Sequence, residues 1–171
     1  MNNFFSQISR FFVLITLQVL ICNHIHLFGF LSPQLYVLAL LLLPIELPRT
    51  VQYLIAFFTG LIVDLFLQTF GIHALACLLL VWLRPSFVFI ISRARLQDAV
   101  FKPIPGVKDF NWLLLYTIGL VFLHQLIVTG VETFTWKEWF RIIWISIANT
   151  LFTTTIILAV EYIFISEKTK N

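Results

Sequence analysis

The sequence predicts an all-α integral membrane protein built as a single six-helix transmembrane bundle. Sixty per cent of its 171 residues are apolar and only 11 % are charged, against roughly 25 % charged residues in a soluble domain. Mean hydropathy is +0.98. Several runs reach the length of about 20 mainly apolar residues that a spanning helix needs, and the chain leaves no room for a separate soluble domain of ordinary size. One domain covering 1–171 is expected, with helices near 8–25, 33–47, 50–67, 72–92, 111–131 and 139–165.

The first segment follows Arg10 with an apolar run that lacks a small-residue cleavage site, so it reads as a retained helix and not a signal peptide. Asn23, His24 and His26 mark its arrival at an interface. The two histidines are spaced i, i+2 and point apart on a helix, which makes a polar cap the expectation there and not a metal site. Segment two opens on Ser32-Pro33, residues suited to an N-cap and a first helical position. It closes at Pro44-Ile-Glu46-Leu-Pro48, where two prolines limit continuation.

Segment three carries the most informative pattern. Ala56, Gly60, Asp64 and Gln68 recur every four residues and form one drifting stripe on a helix. The small residues let a neighbouring backbone approach, and the carboxylate is costly unless it faces protein or water. Its partner is a tertiary matter: His73, His124 or neither. Gly71 suits a helix C-cap or a left-handed position. Segment four begins with His73, Ala74, Ala76 and Cys77, small enough for close packing, and reaches Arg84-Pro85, where Arg84 is expected to snorkel to the surface.

A polar loop, Arg93 to Asp109, precedes segment five, in which His124 and Gln125 lie too deep to face lipid. Thr133 to Trp139 reads as an interfacial connector rich in aromatics. In segment six, Ser146, Asn149, Thr150 and Thr153 make a polar stripe that Glu161 continues.

Charge bias sets the expected orientation. With the N-terminus inside, nine basic residues (Arg10, Arg49, Arg84, Arg93, Arg95, Lys102, Lys108, Lys168, Lys170) fall inside and two, Lys137 and Arg141, fall outside. The positive-inside rule then makes both termini cytoplasmic. The net charge of +3 forms no basic stripe with exposed aromatics, so no nucleic-acid partner is expected. Cys22 and Cys77 lie in apolar segments and read as buried free thiols.

Motifs for intramembrane catalysis are missing: no His-Glu-x-x-His, no Gly-x-Ser-x-Gly, no phosphate-cradling glycine loop. Asp64 has no second aspartate in an apolar segment. The sequence therefore predicts no catalytic residue, no metal and no cofactor. Polar residues such as Asp64, Gln68, His124, Asn149 and Thr153 instead suggest hydrogen bonds between helices, each contributing about 0.6–2 kcal/mol in a membrane. The other reading is a small-molecule or ion site.

Taken in order, several stretches resemble MreD, the rod shape-determining membrane protein family. They are Ser32-Pro33-Gln34-Leu35, Pro44-Ile-Glu46-Leu-Pro48, Gly60-x3-Asp64-x6-Gly71-x2-Ala74, Leu83-Arg84-Pro85, and Phe122-Leu-His124-Gln125 through Glu132. The resemblance implies a six-helix protein of the bacterial inner membrane. It would work as a non-enzymatic scaffold of the cell-elongation complex that builds peptidoglycan. It would bind MreC directly and reach the MreB filament, the RodA glycosyltransferase and a class B penicillin-binding protein through the complex. It also implies a fold similar to the substrate-binding S-components of energy-coupling-factor vitamin transporters, so the alternative is a transporter subunit with a vitamin-sized ligand. The short outer loops favour the scaffold. On that reading Ala56, Gly60, Asp64, Gln68, Gly71, Ala74, His124, Asn149 and Thr153 form the helix-packing and partner surface.

Overall fold

A computed structural model describes residues 2–25, 31–44, 47–93, 110–133 and 136–170. Among them the chain forms six α-helices: α1 (Asn2–Leu20), α2 (Tyr36–Leu41), α3 (Arg49–Leu67), α4 (Ile72–Arg93), α5 (Phe110–Thr133) and α6 (Trp139–Lys170). Short 3-10 turns at Cys22–His24 and Trp136–Glu138 accompany them. Residues 94–109 of the polar loop, Glu46 and His26 lie outside what is described.

This is an all-α membrane bundle. Among the described residues, four helical stretches are long and apolar enough to cross a bilayer: Arg49–Leu67, Ile72–Ile91, Phe110–Thr133 and Trp139–Glu161. Their outward faces carry large apolar side chains, among them Phe58, Leu65, Phe66, Trp82, Leu115 and Trp144. Continuous apolar surface on this scale belongs against lipid and not water. Helices α3 and α4, α4 and α5, and α5 and α6 form the most extensive pairings, as expected of successive antiparallel neighbours.

Two of the expected segments are corrected. The first helix ends at Leu20 instead of running to 25, and a 3-10 turn follows. The second shrinks from 33–47 to six residues, a length of about 9 Å that cannot alone cross a hydrocarbon core of about 30 Å. Ser32 and Pro33 do not start it; the helix begins after Leu35, without a side-chain cap.

The reason is tertiary. Every residue from Pro33 to Leu41 is buried, so α2 is a plug inside the bundle. Its flanking backbone is satisfied by side chains of four surrounding helices. From α1, the Gln18 amide donates to the Pro33 carbonyl at 3.1 Å and its oxygen accepts from the Tyr36 N–H at 3.3 Å. From α6, Asn149 Oδ1 accepts from the Ser32 N–H at 3.0 Å, and Thr153 Oγ1 from the Gln34 N–H at 3.4 Å. At the other end Arg84 of α4 donates Nη2 to the carbonyls of Leu41 (2.9 Å) and Leu43, and Tyr116 of α5 approaches the Leu41 carbonyl at 3.4 Å. Non-helical backbone is tolerated at membrane depth where protein supplies such partners, and these compete successfully with the local chemistry of Ser32-Pro33.

Arg84 thus does not snorkel. It is 1 % exposed, and its Nε donates to Tyr116 Oη at 2.7 Å while the Tyr116 ring stacks on Trp112.

Candidate functional site

The stripe on α3 becomes a joint with α4. Ala56, Gly60 and Asp64 are buried, and Ala74 lies beneath Gly60. A Cβ on Gly60 would stand 2.6 Å from Ala74 N and His73 O, inside the backbone of α4. The two helices therefore touch backbone to backbone, as small residues permit in membranes.

Asp64 completes the joint. Its Oδ1 accepts from the His73 N–H at 3.0 Å and from Thr69 Oγ1 at 2.5 Å, and its Oδ2 accepts from the Ala74 N–H at 2.9 Å. These amides belong to the second and third residues of α4, donors with no partner inside their own helix. A carboxylate is also favoured at the positive end of a helix dipole. Asp64 is thus an N-cap delivered from the preceding helix. Its partner is the backbone of residue 73 and not an imidazole ring.

Gln68 departs from the stripe and is corrected. It is exposed, because the chain turns left-handed there (φ 56°) to end α3. Gly71 has φ 81° and open space around its Cα, so it is required for its backbone and not for packing.

His124, Asn149 and Thr153 are buried as expected but bond neither to Asp64 nor to one another. Asn149 and Thr153 hold the lead-in to α2. His124 Nε2 lies 3.0 Å from Tyr36 Oη, whose other contacts are His73 Nδ1 at 2.9 Å and Gln34 Oε1 at 3.3 Å. The phenol has one proton, so at least one of the two imidazoles must present an N–H to it. Tyr36, Gln18, Gln34 and Arg84 were not among the expected site residues. A tyrosine and a glutamine standing in apolar runs were the available signal.

Above this cluster, where α3 and α5 end and α4 and α6 begin, a cavity of about 640 Å³ opens. Its lining includes Gln18, Asn23, Gln34, Tyr36, His73, Gln125, Glu132, Glu138, Arg141 and Asn149. Arg141 and Glu138 pair with each other at 2.7 Å. Three buried nitrogens on the lining, Asn23 Nδ2, His73 Nε2 and Gln125 Nε2, have no hydrogen-bond partner. With the Glu132 carboxylate also on the lining, the wall carries two amide donors, a carboxylate acceptor and an imidazole nitrogen whose role follows its tautomer. Among the described residues no three His, Cys, Asp or Glu side chains converge as metal ligands. Cys22 also lines the cavity, and both cysteines are free and buried.

Fold and site together define a helical membrane bundle with an interrupted inner helix and a polar cavity at one end. No protein-family model, curated protein or solved structure matches the chain.

Proposed function

We propose that this protein is a non-enzymatic scaffold of the bacterial inner membrane, with both termini cytoplasmic, serving the cell-elongation complex. It docks MreC directly and connects through it to MreB, RodA and a class B penicillin-binding protein. The observation that supports the reading is the α3–α4 joint. Gly60, Asp64, Gly71 and Ala74, the pattern that most resembles MreD, act on one another: Gly60 admits Ala74, Asp64 caps residues 73 and 74, and Gly71 permits the turn between them. The spacing of that pattern therefore expresses one mechanical unit. Several other interior polar groups, among them Gln18, Arg84, Asn149 and Thr153, hold α2, and partner docking falls to the outer faces.

The test is depletion in a rod-shaped host, with affinity purification from native membranes. Cells should round, and MreC should co-purify with the wild-type protein and less with Asp64→Ala, at matched folded protein. Normal shape on depletion together with no recovery of MreC would sink the proposal.

The cavity favours a second reading, a small-molecule-binding subunit similar to transporter S-components. Its volume lies within the 300–1,000 Å³ range of ligand pockets, and three unmet buried nitrogens line it. Native mass spectrometry of protein released from its own membranes should then show a retained small molecule. A bare protein mass, with no uptake phenotype, would argue against it.

A further inference from the structure

At the opposite end of the bundle from the large cavity, a pocket of about 310 Å³ lies between the start of α3 and the later half of α4. Its lining includes Arg49, Gln52, Tyr53, Trp82, Arg84 and Ser86, with two guanidiniums and, among the described residues, no acid. Arg84 is the most buried of them, at 1 % exposed. Three of its hydrogen bonds are spoken for, by Tyr116 Oη and the carbonyls of Leu41 and Leu43. Its Nη1 is buried and has no partner, although a guanidinium carries five N–H donors.

The charge is as incomplete as the hydrogen bonding. The carbonyls and the phenol are dipoles, and among the described residues no carboxylate pairs with Arg84. By contrast Arg10, on α1, pairs with Glu161. A buried cation without a counter-ion is expensive, and Arg49, the nearest ionised neighbour on the lining, has the same sign. The missing component is an anion. A guanidinium fork matches the oxygens of a phosphate group. The pocket opens on the bundle's outer face, where Arg49, Trp82, Pro85 and Ser86 are exposed, and tryptophan with arginine is the pairing found at headgroup depth.

We propose that this pocket binds a phosphate-class anion, with Arg84 Nη1 as the deep donor and Arg49 as the outer one. The phosphate of a lipid headgroup and free inorganic phosphate share that chemistry, and the experiment separates them. The full chain, purified in a maltoside detergent free of phosphate, is titrated with short-chain phosphatidylglycerol, with inorganic phosphate, or with short-chain diacylglycerol, while thermal unfolding is followed. Saturable stabilisation by phosphatidylglycerol, weakened about fivefold in Arg49→Gln, is expected; one arginine near an anionic surface contributes on that scale. Equal stabilisation by inorganic phosphate, with the same sensitivity to Arg49→Gln, would assign the site to the free anion. Stabilisation that diacylglycerol matches, or that Arg49→Gln leaves unchanged, would overturn the proposal. Arg49 is exposed and holds no backbone group, so this variant folds even where Arg84→Gln does not.

Discussion

Gly60→Ala is the sharpest perturbation of the α3–α4 joint. The new methyl would begin 2.6 Å from Ala74 N and His73 O, whereas ordinary contact starts near 3.4 Å. Both obstructing atoms are backbone, so no rotamer change relieves them and α4 must move away from α3. Overpacking of this kind costs about 1–3 kcal/mol. The displacement also stretches the two amide bonds that Asp64 accepts from residues 73 and 74, and a buried donor left unmet adds about 1–3 kcal/mol. Gly71→Ala is the internal control. Nothing lies within 4 Å of its added methyl, so its cost is the left-handed backbone alone, about 1–2 kcal/mol. Thermal unfolding in detergent, followed by a fluorescent fusion or by circular dichroism, should rank wild type above Gly71→Ala above Gly60→Ala. A Gly60→Ala protein that melts with the wild type, or above Gly71→Ala, would refute the close backbone contact.

Asp64→Ala should destabilise by about 2–4 kcal/mol, because two buried amides and the Thr69 hydroxyl lose their acceptor. Asp64→Asn, which keeps one accepting oxygen, should recover roughly half of that; equal melting of the two variants would count against the cap. Tyr36→Phe should cost about 1–3 kcal/mol by stranding His73 Nδ1 and His124 Nε2, and an unchanged melt would show that the cluster is not coupled through the phenol. Small methanethiosulfonate reagents should label Cys22, which lines the cavity, and leave Cys77, which is fully buried, untouched until unfolding. Equal labelling of the two thiols in the folded protein would contradict the cavity's position.

Helix α2 separates what was legible in the sequence from what was not. Ser32-Pro33 carries good helix-starting chemistry, yet the helix starts after Leu35, because Asn149 and Thr153 take the Ser32 and Gln34 amides first. Those partners are more than a hundred residues away, and no local pattern encodes the competition. Arg84 is a similar case. Its position in an apolar helix is equally compatible with snorkelling and with burial, and only the approach of the Leu41 and Leu43 carbonyls decides between them.

The sequence by itself determined the class of protein, the four long apolar helices and the importance of the Gly60–Ala74 stretch. These follow from composition and from a four-residue period, and both act along the chain. The tertiary structure alone decided what the polar residues do. Asp64 became a cap for α4, Gln68 dropped off the stripe at a left-handed turn, and the polar groups of α1, α4, α5 and α6 converged on the backbone of α2. Inside a bilayer every unsatisfied amide or carbonyl must find a partner in the protein, and which side chain supplies it depends on how the helices pack.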